Sequence, residues 1–338
     1  MTAPDHAQPP AERGTALQRA RAAMLVGVGA VLARLPSAFV GGVADTLGEL
    51  WYRAAPDRAA VARGNLAHVA GWLAAEGRGS ARARAAAADP SALERLVRAA
   101  FRHAVRTYAE TLRPEATARD LRRGLLIDTP EAVDAAFARG GPVVFATPHF
   151  GSLLGVATVL SDRASMPVTA PMETLDDPEL QRILARARAS GGARIVGLGE
   201  ARRELRAALA RGEGVGLVAD RDIAGGGVPV TLFGLPASLP IGPAYLALDA
   251  DAPLHVAATR RTRRGGFRGW LVTLPHPPAD LPLRARIAAL LDAEARAFED
   301  LVAPAPEQWS TVLFPIWEAV GPRPRGVEAA RRTPEPVS

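Results

Sequence analysis

Residues 143–155 read Val-Val-Phe-Ala-Thr-Pro-His-Phe-Gly-Ser-Leu-Leu-Gly (VVFATPHFGSLLG), an apolar strand-forming run that delivers His149 to its end. Similar runs recur downstream at Val168–Ala170, Ile195–Leu198, Val215–Ala219, Leu254–Ala258 and Leu271–Leu274. Between them, Pro178–Ala189 and Ala201–Arg211 carry a helical period. Short strands alternating with helices predict an α/β fold. Its central sheet should be mainly parallel, with helices on both faces and a helical, partly apolar N-terminal lead-in.

In a parallel sheet, ligands bind beyond the carboxyl ends of the strands. His149 follows the strand that starts at Val143, and Asp220-Arg221-Asp222 follows the strand at Val215–Ala219. If those strands are neighbours, the imidazole and a carboxylate meet at one sheet edge. The competing reading is a structural histidine and an acid pair that caps the turn before Gly225-Gly226-Gly227. A serine hydrolase would need Gly-x-Ser-x-Gly on a tight turn. Gly151-Ser152-Leu153-Leu154-Gly155 has its serine one place too early.

The chain has 338 residues, 48% of them apolar, which is enough for a substantial core. It contains no cysteine, so disulfides, thiolate metal sites and a cysteine nucleophile are excluded. It contains no lysine either, so all 41 basic residues are arginine, and the formal net charge is +6. Arginine pairs well with phosphate and carboxylate, which suits anionic lipid headgroups or acidic carriers; nothing in the pattern calls for nucleic acid. None of the six histidines sits at a metal-binding spacing, and no metal site is expected. His255, inside an apolar strand, reads as a core histidine.

Residues 1–14 and 321–338 are polar or rich in proline and arginine and are expected to be loose tails, leaving 15–320 as one α/β domain. The stretches Ala22–Ala33 and Leu35–Ala44 are apolar, but neither reaches the ~20 residues a spanning helix wants. A membrane-associating helical region over about 16–55, a buried core helix and a cleaved signal peptide remain open. Gly27-Val28-Gly29 lacks the third glycine of a dinucleotide fingerprint. Helices are expected from about 37 to 113, with Asp89-Pro90-Ser91 starting one of them and 74–88 a connection or weak helix.

The motifs ATPHFGS and VGLVADRDIAGGGVPVTLFGLPASLPIGPAYLAL (Val215–Leu248) carry a resemblance, as do the helix from Pro178 with Arg188 near its end and Pro306-Glu307-Gln308-Trp309. Together they resemble the late acyltransferases of lipid A biosynthesis, and more closely the actinobacterial phosphatidylinositol mannoside acyltransferases. The resemblance runs from the N-terminal helices to near Trp317. It implies an O-acyltransferase that moves a fatty acyl chain from an acyl thioester to a hydroxyl of a lipid or glycolipid. The donor would be acyl-CoA or an acyl carrier protein, with no other cofactor. The place of work would be the cell membrane, held peripherally or monotopically on the cytoplasmic face.

In that family a histidine, four intervening residues and then Asp or Glu form the site, with the histidine as general base. The acid's position here is Leu154, which cannot accept a hydrogen bond. The resemblance makes Asp220 the first candidate to replace it, since related enzymes place an acid of this segment near the histidine, and Asp222 the second; sequence separation is no obstacle, because geometry and not chain order defines such sites. Arg188, Arg221, Ser152 and Glu173 are the expected substrate contacts. Arg188 would hold a phosphate, although a cation near a helix C-terminus is favourable anyway. Arg221, flanked by two acids, reads equally as an internal ion pair, and Glu173 as a surface or headgroup contact. Two rival functions remain: a silent lipid-binding relative that lost its chemistry at Leu154, and a thioesterase-like hydrolase. The distance from the His149 ring to the nearest carboxylate separates the enzyme from the silent relative.

Overall fold

The computed structural model describes residues 14–163, 166–222, 225–262, 265–317 and 319–320. Almost all of the two expected tails lies outside the described residues. The chain opens with α1 (Ala16–Leu32), α2 (Ser37–Ala54), α3 (Pro56–Ala75), the short α4 (Ala81–Ala85), α5 (Pro90–Leu112) and α6 (Pro114–Gly124). The starts are written locally. Thr15 and Gln18 form a reciprocal capping box on α1, and Asp89 caps α5 ahead of Pro90 at its first position. The stretch 74–88, expected as a connection or weak helix, is a turn followed by α4.

Strands and helices then alternate: β1 (Leu125–Ile127), α7 (Pro130–Ala138), β2 (Val143–Thr147), α8 (Leu153–Arg163), β3 (Val168–Met172), α9 (Pro178–Ala189), β4 (Ala193–Gly197), α10 (Leu198–Ala210) and β5 (Gly214–Val218). A hairpin of β6 (Val228–Leu232) and β7 (Leu235–Leu239) follows. After it come α11 (Gly242–Asp249), β8 (Leu254–Arg261), β9 (Phe267–Leu274) and α12 (Leu283–Val302). The seven-stranded sheet has the order β1-β9-β8-β2-β5-β3-β4 and is parallel at every pairing except β8 with β9. The fold is thus α/β on a mostly parallel sheet.

Helices cover both faces, and β2 shows why. Val144 and Ala146 enter the large core beneath α3, α5 and α12, whereas Val143 and Phe145 point into a second cluster with Val156, Leu160 and Leu271. Successive side chains of a strand alternate faces, so a strand covered on both sides must be apolar throughout.

Three departures from the sequence expectations have local causes. β9 starts at Phe267 and runs antiparallel, because the connection after β8 is too short for a crossover. β1 has only three residues and pairs with β9 alone. The β6–β7 hairpin turns on Phe233 and Gly234, both at positive φ (49° and 76°). Phe233 is held there by burial against Trp72, Trp309 and Trp317, and its N–H donates to Glu299 Oε1 at 2.6 Å.

Helices α1 and α2 each turn one side to the protein and one outward. Val40, Ala44 and Gly48 of α2 pack on α5, where a Cβ at Gly48 would lie 2.5 Å from Arg102 Cα. Phe39, Val43, Leu47 and Leu50 point outward on α2, and Leu17, Met24, Val28 and Val31 on α1. No described helix is long and apolar enough to cross a membrane.

Candidate active site

Strands β2 and β5 are parallel neighbours in a register that pairs Thr147 with Val218. The Ala219 N–H donates to the Thr147 carbonyl at 3.0 Å, extending the ladder by one step. His149 and Asp220 each lie two residues beyond the matched ends, so equal overhang brings them together. His149 Nδ1 lies 2.6 Å from Asp220 Oδ1.

Asp220 is almost fully buried, yet every polar edge is used. Its Oδ2 accepts hydrogen bonds from Trp309 Nε1 and Thr311 Oγ1, both at 2.6 Å. Burial is the largest single influence and pushes its pKa up. The His149 charge and the hydrogen bonds from His149, Thr311 and Trp309 outweigh it, and the carboxyl falls from 3.8 to about 2. An ionised carboxylate can only accept, so the bridging proton sits on His149 Nδ1. In the neutral ring the lone pair then falls on Nε2, on a side chain that is 24% exposed. A base with an oriented, solvent-reachable nitrogen is the chemical content of this geometry.

The backbone after His149 is clamped from three directions. The His149 carbonyl accepts from Ser310 N at 2.9 Å and Ser310 Oγ at 3.0 Å, and the Gly151 N–H donates to Gln308 O at 3.0 Å. Gly151 sits at φ +57°, and a Cβ there would lie 1.9 Å from the Thr259 carbonyl oxygen. Only glycine fits this turn. Segment Pro306–Thr311 therefore holds both halves of the pair: Trp309 and Thr311 grip Asp220, while Gln308 and Ser310 grip the backbone beyond His149.

Of the residues expected in the site, the structure joins His149 and Asp220 and places the others elsewhere. Asp222 lies off the imidazole; its Oδ2 accepts from Gly227 N at 2.8 Å and closes its own loop. Ser152 is fully buried and donates to Glu110 Oε2 at 2.8 Å, so its hydroxyl is committed to the interior. Arg221 forms no ion pair among the described residues and lies over the Phe314 ring at 4.2 Å. Arg188 and Glu173 are both exposed and attract each other at the α9 side of the sheet. Leu154 has its Cδ1 3.2 Å from where a Cβ on Gly191 would stand, packed towards the end of α9. His255 is a core histidine, bonded to Thr273 Oγ1 at 2.9 Å and stacked on Phe145.

Sequence reasoning missed Trp309, Thr311 and Glu110. Trp309 stands in the late segment quoted above and Thr311 two residues past it, and neither carried a chemical signal by itself. Glu110 looked like one more polar position on α5, and its role as acceptor for Arg261 and Ser152 depends on contacts remote in sequence.

The family model of the bacterial lipid A biosynthesis acyltransferases matches residues 11–317. The chain belongs to that family. Among curated proteins, it is 32% identical over 191 residues to phosphatidylinositol mannoside acyltransferases from two strains of Mycobacterium tuberculosis. That alignment covers 55% of this chain and 58% of each relative, so the chain spans little more than half the length of the relatives it matches. In this chain position 154 is a leucine, and the carboxylate at the imidazole is Asp220, at the end of β5.

Proposed function

We propose that the protein is a membrane-associated O-acyltransferase that moves a fatty acyl chain from an acyl thioester to a hydroxyl of a lipid or glycolipid. The observation that carries this reading is the 2.6 Å contact between His149 Nδ1 and Asp220 Oδ1. His149 Nε2 takes the proton of the acceptor hydroxyl as its oxygen attacks the thioester carbonyl carbon. The C–S bond then breaks, and the proton held on Nε2 goes to the departing thiolate. Asp220 keeps Nδ1 protonated and stabilises the imidazolium that forms between the two steps. Base catalysis of this kind is worth ~10²–10⁴-fold in rate. The reading needs no cofactor beyond the donor, acyl-CoA or an acyl carrier protein, and the glycolipid acceptor is favoured by the named relatives.

The contact also weighs against a silent relative. Leu154 removes one carboxylate, but the imidazole is not left among aliphatic carbon. The outward stripes of α1 and α2 support docking on the cell membrane. Phe39 is 57% exposed and Leu47 50%, at a spacing that puts both on one side of α2.

Two variants test the reading in opposite directions. His149→Ala should abolish transfer from an acyl thioester to a lipid acceptor while leaving vesicle binding intact. Phe39→Asp combined with Leu47→Asp should weaken vesicle binding roughly a hundredfold or more, since each side chain is worth about 1.5–3 kcal/mol out of water. It should leave transfer to a detergent-dispersed acceptor unchanged. Full transfer by His149→Ala would refute the mechanism.

A further inference from the structure

A cavity of about 1170 Å³ lies apart from His149, which is not among its lining residues. It lies among α2, α5, the open ends of β8 and β9, and the segment before Trp309. Its wall backs directly on the His149 turn, since a Cβ on Gly151 would lie 2.8 Å from Arg260 Cα. An acyl chain would want a lining free of charge; among the described residues, seven arginines line this cavity. Five of them are held by carboxylates, as Arg106 is by Asp45 at 2.6 Å and Arg113 by Asp120 at 2.5 Å.

The remaining cations are what the cavity presents. Arg102 and Arg260 have no carboxylate partner among the described residues, and Arg102 Nε is shut off from water without any acceptor. Arg261 is the decisive group. Its side chain is only 6% exposed, its Nε donates to Glu110 Oε1 at 2.6 Å, and its Nη2 donates to Glu110 Oε2 at 2.7 Å and to Thr107 Oγ1 at 2.9 Å. Nη1 is buried with no partner among the described residues. A guanidinium anchored along one edge with its other edge unused in an arginine-lined cavity is arranged to receive an anion. His103, in the same lining, has Nδ1 equally unpartnered. Burial, then Arg261, Arg106, Arg82 and Arg102, hold its ring well below the usual histidine range. Among the described lining residues arginines outnumber the carboxylates Asp45, Glu110, Asp120 and Glu307.

We propose that this cavity is a second site, apart from His149, that binds the phosphate group of an anionic ligand, with Arg102, Arg260 and the free edge of Arg261 as its donors. Phosphate fits the bidentate fork of arginine and supplies acceptors for the orphaned N–H groups. The phosphate belongs either to a soluble molecule or to a lipid headgroup. The proposal does not depend on the acyl transfer chemistry.

The test uses the full chain at constant ionic strength, with inorganic phosphate in one arm and vesicles of phosphatidylglycerol or of phosphatidylcholine in the other. Wild type should be stabilised saturably by inorganic phosphate, or should bind phosphatidylglycerol vesicles in preference to phosphatidylcholine. The first result assigns a soluble phosphate and the second a headgroup. Arg102→Gln with Arg260→Gln should weaken that binding about tenfold or more, whereas His149→Ala should leave it unchanged. The double variant retains the Arg261–Glu110 anchor, and its unliganded melting temperature reports whether it folds. Absence of binding in both arms, or equal affinity in the folded double variant, overturns the proposal.

Discussion

Asp220 lies 71 residues after His149, yet its Oδ1 meets the imidazole Nδ1 at 2.6 Å. The contact is a consequence of sheet order: β2 and β5 are parallel neighbours, and each overhangs the matched end by the same two residues. Leu154 lies in the first turn of α8, the helix that follows the histidine. That turn offers the imidazole no acceptor, and the carboxylate comes from the end of the adjacent strand.

Leu154→Asp follows directly from that substitution. Because His149 Nδ1 is already bonded to Asp220, a carboxylate restored at position 154 has no vacant ring nitrogen on that side to orient. The rate of transfer from acyl-CoA should stay within a few-fold of wild type. A rise approaching the ~10²–10⁴ range of base catalysis would mean that Asp220 does not serve.

Trp309→Phe should loosen Asp220. Deleting a hydrogen bond to a buried charged group costs about 1.5–3 kcal/mol. The depressed pKa of Asp220 contributes stability that is fully present above its unfolded value of 3.8 and lost as pH falls towards about 2. In Trp309→Phe the carboxyl should titrate higher, so the acid unfolding transition followed by circular dichroism should move up in pH. An unshifted transition would remove Trp309 from the account.

Glu294, on α12, is fully buried, and neither carboxyl oxygen has a partner among the described residues. Burial, with a smaller push from the Asp220 charge, raises its pKa well above 4.5. The folded state thus keeps a proton that the unfolded state releases, and stability should fall as pH rises from the ordinary glutamate range towards the raised value. Glu294→Gln, close in shape and never charged, should flatten that decline in urea unfolding measured across pH. The same slope in both proteins would contradict the assignment of a neutral acid.

Much of the sheet was legible because β2, β3, β5 and α9 announce themselves by period and by their bounding Pro, Gly and Asp residues. The edge at which His149 and Asp220 meet was legible too, since strand ends define it. What the chain did not disclose locally is what arrives from far away. Trp309 comes from the extended residue between two late 3₁₀ turns and Thr311 from the second of them, Glu110 from a helix on the other side of the turn, and the Arg261 pairing from a strand end. Ser152 sat beside His149 in sequence but faces inward, because the turn at Gly151 aims it at Glu110. Phe233 reads as a strand residue and is instead a hairpin tip at positive φ, held by aromatic neighbours that no local pattern reveals.

The most direct measurement is the steady-state transfer rate of Asp220→Asn with an acyl thioester and a lipid acceptor, compared with wild type at the same pH. Asparagine keeps the shape and can still accept from Trp309 and Thr311, but it no longer fixes the proton on Nδ1 or stabilises the imidazolium. The account predicts a loss of turnover of about 10⁴-fold, the size of the corresponding change in a serine protease triad, with KM little altered. Turnover at the wild-type level in a folded Asp220→Asn protein would contradict it.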